Sequence, residues 1–491
     1  MPRLSDSTLA AASAARPGYD RGAVRCGIVH LGLGAFSRAH LAVYADDLLA
    51  AGHEGPSINL GIIGVSLRND DVPHALEPQG GLYTLGIVDG TTTSHRIIGS
   101  VRRALHAPSE ADAVREALAS ADTTIVSVTV TEKGYCMNPV TRRLDRAHPD
   151  VRHDVDHPDI PRSVVGHLVL AARDRRDTGA GDLTVLSLDN LSGNGSTLRS
   201  VVTELAAVGD ASLAEWIGEH LAFPNSVVDR IVPATDDDFR QAVASVIGVD
   251  DAWPVRAEPY SQWVVERRWA TPMPLFGDVG VQVVDDVGPW EMLKLRVLNS
   301  LHTAAAHYGL RHGFATIDLV VADPGGRELL DRVAAEIAEV LVGPPGADVE
   351  EYIATTLRRF ANSGLGHRCE QVATDTSQKL PQRLPGTIRD RLERGLAIDA
   401  LADVLALWAW STLGVDHRGN PRTVSDPLAV TYARIAADCT TDGHVDTAAL
   451  AAALLGLPIF GDLAGNPALV GPVAARLPAL LDRTARLETK S

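Results

Sequence analysis

An amine, an amide and an imidazole are spaced along one stretch, Lys294-Leu-Arg-Val-Leu-Asn299-Ser-Leu-His302. An amine desolvated in a pocket can have its pKa lowered far enough to act as a general base. An amide and an imidazole three residues apart can both donate hydrogen bonds to one oxygen as negative charge develops on it. The trio therefore suits removal of a proton from an alcohol as a hydride leaves the same carbon. The plain alternative is that Lys294 reaches solvent and His302 is a satisfied core histidine; spacing alone favours this alternative.

The trio needs an element to hold it. Gly288-Pro289 precedes it, and proline at the first helical position gives up no intrahelical bond. No breaker follows before Gly309, so the spacing predicts one α-helix of about five turns. At about 100° per residue, Lys294, His302 and Asn299 fall at roughly 0°, 80° and 140°, on one side of the cylinder. Burying them unpaired is costly, so a polar cavity is expected to face them.

A second set of candidates lies near the start. Arg25–Leu31 reads as a strand, followed by Gly32-Leu-Gly34-Ala35-Phe36-Ser37-Arg-Ala-His40 and near-helical apolar spacing to Gly52. A strand, a glycine turn and a helix form the first unit of a dinucleotide-binding fold. Gly32 permits the turn, Gly34 lets backbone N–H groups approach a pyrophosphate, and Ala35 and Phe36 open the helix. Ser37 stands where a third glycine is usual, so the fingerprint is incomplete, and an ordinary βα turn is the competing reading. A second strand is expected over 58–67. Asp70 after it is the candidate acid for the ribose hydroxyls, while Arg68 leaves a 2′-phosphate conceivable.

Further along, 82–90 and 93–98 read as an antiparallel pair turning at Asp89-Gly90. Thr123–Val130 is a continuous β-branched run typical of a buried parallel strand, with Glu132 and Lys133 beyond its C-terminal end. Leu183–Leu188 is another strand, ending in Asp189-Asn190. Asp229-Arg230 is a charged pair among β-branched residues, and Asp229 is a candidate substrate contact. Ligands of open α/β sheets bind at the carboxyl ends of strands, which is where these groups fall. From Pro289 helical patterns dominate. Residues 1–20 read as a loosely held arm, 141–162 as a surface excursion, and 362–386 as a polar loop between helices.

The chain has 491 residues, enough for two or three domains. The pattern is α/β: a Rossmann-type dinucleotide-binding domain with insertions over 1–288 and a mostly α-helical domain over 289–491. A net charge of −17 argues against non-specific nucleic-acid binding. Cys26, Cys136, Cys369 and Cys439 lie far apart, as reduced thiols do, rather than in a disulfide or zinc pattern. No apolar run is long enough to span a membrane, and a cytoplasmic location is expected.

Gly32-Leu-Gly-Ala-Phe-Ser-Arg-Ala-His40, Thr129-Val-Thr-Glu-Lys-Gly-Tyr135, Asp189-Asn190, Val228-Asp-Arg-Ile-Val-Pro-Ala234 and Lys294-x5-Asn299-x2-His302 occur in this order. The set resembles the polyol-specific long-chain dehydrogenases, the mannitol 2-dehydrogenase and fructuronate reductase family, over about residues 24–480. The resemblance implies an NAD-dependent enzyme without a metal, acting on a sugar alcohol or keto-sugar (acid), as a monomer or small homo-oligomer. It implies Lys294 as the base, with Asn299 and Asn190 on the reacting oxygen. His302 and Lys379 would position substrate, and Glu132 would lie near the cofactor and assist proton passage. Thr376 stands where a glycine is common, and Gln371 where mannitol dehydrogenases commonly carry arginine. Ser-Gln-Lys379-Leu-Pro-Gln-Arg383 looks more like the fructuronate reductase branch, whose hexuronate wants a cation such as Lys379 or Arg383. The two substrate classes are nearly balanced, with the mannitol/fructose type placed first and fructuronate/mannonate second. A non-catalytic dinucleotide-binding sensor is the alternative in another class; it would have no use for the base.

Overall fold

A computed structural model of the chain describes residues 1–52, 59–138 and 141–485. The chain divides into two compact units, Met1–Gly288 and Pro289–Ser491.

The first unit contains twelve strands among its described residues: β1 Cys26–Leu31, β2 Gly61–Ser66, β3 Tyr83–Asp89, β4 Thr92–Ile98, β5 Val101–His106, β6 Ile125–Val128, β7 Leu183–Ser187, β8 Leu221–Ala222, β9 Ser226–Asp229, β10 Val255–Ala257, β11 Gln262–Glu266 and β12 Gln282–Val284. Six of them form one parallel sheet in the order β5-β2-β1-β6-β7-β8. Counted along the chain, that is the 3-2-1-4-5-6 order of a Rossmann sheet. Successive residues of β1 feed opposite faces. Ile28 packs with Leu41, Leu48 and Ile125, while Val29 and Leu31 pack with Val126, Leu168 and Val185. A strand covered on both faces has no polar side, which is why these runs read as continuously apolar. The start of the second strand at Ile58 lies outside the described residues.

The β3–β4 hairpin turns at Gly90, with φ 59°, and pairs with β10 in a separate three-stranded sheet. Two expectations fail here. Residues 1–20 are not a loose arm: Leu4 is fully buried, its N–H donates to Asp250 O at 2.8 Å, and Ile97 N donates to Ala15 O at 2.7 Å. Leu4 and Ala12 complete a small core with Leu82, Ile97, Val243 and Ile247, a contact made only once distant segments meet. Nor is 141–162 merely a surface excursion. It contains the helix Pro149–Asp156, and buried Asp154 accepts from Arg162 N at 2.7 Å and Ser163 N at 3.0 Å.

The second unit is helical apart from two two-residue strands, β13 Thr440–Thr441 and β14 His444–Val445. Its centre is the helix Ser300–His312, packed against Asp399–Ser411, Cys369–Ala373 and Pro324–Ala338. Residues 362–386 are not a loop but contain two short helices, Cys369–Ala373 and Thr376–Arg383, joined through Asp375 in left-handed backbone at φ 54°. At five and eight residues, neither helix is long enough to display a hydrophobic period in sequence.

Candidate active site and dinucleotide cleft

In the first unit the ends of β1, β2 and β6 meet around the glycine turn. Gly32 has φ 99°, and a Cβ there would stand 2.0 Å from Thr129 O, so no other residue fits. Its N–H and that of Leu33 donate to Val65 O at 2.8 and 3.1 Å. Below the turn lies His30, whose Nδ1 meets Ser127 Oγ at 2.8 Å and whose Nε2 meets Thr129 Oγ1 at 2.9 Å and Gly32 O at 3.1 Å. Complete burial lowers its pKa from 6.5 to about 4, so at neutral pH it is an uncharged strut.

Gly34 differs from Gly32. Its backbone is extended, and a Cβ would meet nothing nearer than Gly32 O at 3.7 Å. The protein itself does not require glycine here; the open face belongs to the cleft, which is what close approach of a pyrophosphate asks for. Ala35 starts the helix Ala35–Ala39, Phe36 stacks on His40 at 5.0 Å, and Ser37 Oγ donates to Gly34 O at 3.2 Å. Buried Arg38 braces the same turn, donating from Nε to Gly34 O at 3.2 Å and from Nη1 to Trp253 O at 2.6 Å.

The cleft beside the turn has a volume of about 240 Å³ and is walled by Ser66–Asn69 after β2, Thr129 and Val130 after β6, Cys136, Asp150 and Arg162–Val164. Asp70 is absent from this wall. With Asp71 and His74 it lines a second depression, at the start of the helix that begins at Asp71. Arg68 and Asn69 follow β2 into the cleft, and Asp70, the next residue, is exposed.

Glu132 is exposed on the single helical turn Thr131–Gly134. Asp189 holds that turn by accepting from Val130 N and Thr131 N, both at 3.0 Å, and from Tyr135 Oη at 3.0 Å. Burial, opposed by these bonds, raises the Asp189 pKa. Asn190, next in sequence, is exposed. Asp229 is buried at the end of β9, opposite Gln262 of β11. Its neighbour Arg230 donates to Ala39 O at 2.6 Å and to Glu258 O at 2.9 Å, so that cation is structural. Among the described residues one group of three potential metal ligands occurs, Cys136, His148 and Asp150. Asp150 is committed to Arg68 at 3.0 Å, and His148 Nδ1 accepts from Asp150 N at 3.2 Å.

In the second unit the expected continuous α-helix is interrupted. Gly288–Leu293 is α, Lys294–Asn299 is a π turn, and α geometry resumes at Ser300. In a π turn each N–H reaches the fifth carbonyl back, so Lys294 lies one turn below Asn299, and the α-helical angles assigned from sequence do not hold. Side chains sustain the wider turn. Ser300 Oγ donates to Leu295 O at 3.3 Å and to Arg383 O at 3.0 Å. The Asn299 carbonyl accepts from Thr303 Oγ1 at 3.0 Å and from Arg383 Nη1 at 3.2 Å. Arg383 also donates to Thr303 Oγ1 at 2.8 Å.

Lys294, Asn299 and His302 are all buried. Among the described residues Asn299 Nδ2 and His302 Nε2 have no hydrogen-bond partner, and two such donors three residues apart could meet one ligand oxygen. The His302 ring stacks on Phe360 at 4.0 Å and meets His367 edge-on at 5.1 Å. Burial, then the electrostatic influence of His367, Arg383, Arg359 and Lys379, holds its pKa well below 6.5. Lys379 Nζ donates to Val372 O at 3.1 Å and Thr374 O at 2.5 Å, and Gln371 is exposed. Arg359 and His367 were not among the sequence candidates. The signal for Arg359 was available: it falls beside Phe360 on the buried face of the amphipathic helix Val349–Phe360, where a charge needs a reason.

Residues 26–274 match the mannitol dehydrogenase Rossmann domain and residues 286–481 the mannitol dehydrogenase C-terminal domain. D-mannonate oxidoreductase of Escherichia coli (strain K12) is 39% identical over 493 residues, covering 99% of both chains. Mannitol 2-dehydrogenase of Pyrenophora tritici-repentis is 39% identical over 419 residues, 84% of this chain and 74% of that protein. Among solved structures, Pseudomonas fluorescens mannitol 2-dehydrogenase in ternary complex with NAD and D-mannitol superposes with a TM-score of 0.86 at 33% identity, covering 100% of both chains. A D-sorbitol dehydrogenase in substrate-free form superposes with a TM-score of 0.88 at 28% identity and 99% coverage of each chain.

Proposed function

The chain belongs to the mannitol dehydrogenase family, and from that premise we propose that it interconverts a secondary alcohol and a ketone on an open-chain sugar acid, with NAD as cofactor and Lys294 as general base. The observation that carries this reading is the buried trio on the π turn, with Asn299 Nδ2 and His302 Nε2 lacking protein partners. In the oxidative direction Lys294 Nζ takes the hydroxyl proton. Asn299 Nδ2 donates to the same oxygen as charge develops on it, and the neutral His302 ring donates from Nε2 in the tautomer protonated there. NAD, when bound, takes up the hydride. In reduction Lys294 returns the proton.

In this reading 1–288 is the NAD-binding domain and 289–491 the catalytic and substrate domain. The Gly32–Gly34 turn and the start of the helix at Ala35 and Phe36 hold the pyrophosphate, a role the open face of Gly34 fits. Asn190 assists Asn299, and Glu132 serves proton passage; both assignments rest on family resemblance. Asp229 is kept as a candidate substrate contact.

Resemblance alone put the neutral polyol first; the charge around His302 favours the hexuronate. Arg383, Arg359 and Lys379 all bring positive charge to bear on that ring. A carboxylate gains from that field, and a neutral polyol does not. The full-length likeness to a D-mannonate oxidoreductase supports the same choice. The test is NADH oxidation with D-fructuronate and D-fructose. Fructuronate is expected to give the higher kcat/KM and to lose efficiency as salt rises, while fructose scarcely responds. Lys294→Ala should lower kcat about 10²- to 10⁴-fold on the better substrate with NADH affinity nearly unchanged. Preference for fructose would return the polyol to first place, and near-normal turnover of Lys294→Ala would remove the base assignment.

A further inference from the structure

We propose that His367 is a further substrate contact, one that selects a hexuronate by donating from Nδ1 to its carboxylate; this deepens the hexuronate reading above and rests on it. His367 Nδ1 is buried and, among the described residues, has no hydrogen-bond partner. The ring it meets edge-on at 5.1 Å, His302, leaves its Nε2 in the same condition. Two touching imidazoles that each bury an unmade bond cost stability unless something else completes them. A ligand that reaches one ring is within reach of the other.

The backbone fixes His367 by itself. Gly366 precedes it in left-handed geometry at φ 57°. The His367 carbonyl accepts from Ile317 N at 2.9 Å and Cys369 N donates to Ala315 O at 2.9 Å, which pins the segment against Thr316 on both sides of Arg368. Cys369 then opens a helix that lies close against Ser300–His312, where a Cβ on Gly309 would stand 2.4 Å from Cys369 Sγ. The neighbouring cations already have acceptors. Lys379 Nζ donates to Val372 O and Thr374 O, and Arg383 braces the π turn. They supply positive potential, whereas His367 supplies a bond not yet made. Burial, then Lys379, lowers its pKa from 6.5, so at neutral pH the ring is uncharged and donates from Nδ1 in the tautomer protonated there. A carboxylate accepts that bond with its charge; the terminal hydroxymethyl of a polyol accepts it more weakly.

The experiment measures NADH oxidation with D-fructuronate and D-fructose for the wild type, His367→Leu, His367→Asn and His367→Gln. NADH titration and melting temperature check that each variant is folded. The amide of Asn donates from near the position of Nδ1, that of Gln from near Nε2. His367→Leu should raise the KM for fructuronate about 10- to 100-fold with kcat little changed, and the KM for fructose only about two- to fourfold. His367→Asn should recover most of the fructuronate KM, and His367→Gln should not. Equal losses on both sugars would mean that His367 merely props His302, and would overturn the proposal. Rescue by Gln rather than Asn would do the same, a comparison that holds even where the Leu variant does not fold. An unchanged fructuronate KM in every variant would overturn the contact and leave the hexuronate reading standing. A wild type that prefers fructose would instead sink that reading, and this contact with it, before any variant is made.

Discussion

Arg383 shows how tertiary structure gives one side chain a task that the sequence did not suggest. Its position after Ser-Gln-Lys379 suggested a cation for a substrate carboxylate. Its guanidinium donates to Asn299 O and Thr303 Oγ1, and its own carbonyl accepts from Ser300 Oγ. It braces the turn that presents Lys294 and Asn299, and so acts as a positioning residue. Replacing it by Gln shortens the reach to both acceptors. Misplacement of a reacting group by about 1 Å can cost roughly 10²-fold, so kcat should fall about 10- to 100-fold on fructuronate and fructose alike. KM should change little, and Arg383→Lys should recover part of the loss. A defect confined to the KM of fructuronate would show that Arg383 meets the carboxylate after all.

At the scale of the element, the glycine turn separates two requirements that sequence motifs merge. Gly32 is demanded by the protein, through positive φ and contact with Thr129 O; at Gly34 the protein leaves room for a Cβ, and in the proposed reading glycine there serves the pyrophosphate. Gly32→Ala should therefore destabilise the fold by about 2–4 kcal/mol, since left-handed backbone strain and a backbone clash act together. Gly34→Val should leave the melting temperature nearly unchanged while abolishing NADH binding. Calorimetry beside fluorescence titration reads both. A Gly34→Val protein that binds NADH normally would put the pyrophosphate elsewhere. The π turn belongs to the same scale: it needs Ser300, Thr303 and Arg383 together, two on the helix itself and one on another.

For the whole molecule, buried neutral histidines tie stability to pH. His30 and His167 in the first unit have pKa values lowered by burial from 6.5 to about 4, and His307 in the second to about 3. Unfolded chains bind these protons near pH 6.5, whereas the folded protein resists until about pH 4. Stability is then complete above pH 6.5 and declines as the pH falls towards 4. Each such group removes about 2 kcal/mol between pH 7.5 and 5. Urea unfolding at these two pH values should show the decline, and His167→Gln should reduce it by about that amount. An unaltered pH dependence in the variant would mean that His167 titrates normally in the folded state.

Sequence alone determined what depends on local order and composition. The strand–turn–helix at Gly32, the β3–β4 hairpin at Asp89-Gly90 and the change to helices after residue 288 follow from periodicity, glycine placement and continuous β-branched runs, each readable within a short window. The Lys294, Asn299 and His302 trio was legible as types and spacing on one helix. Tertiary structure decided everything that required distant segments to meet. It brought Asp150 in beside Arg68, 82 positions away in sequence. It placed Arg359 and His367 beside His302, pinned Leu4 into a core, and made helices of 362–386. It also exchanged an α turn for a π turn at the trio, because the bonds that stabilise the wider ring come in part from Arg383, on a helix that joins it only when the chain has folded.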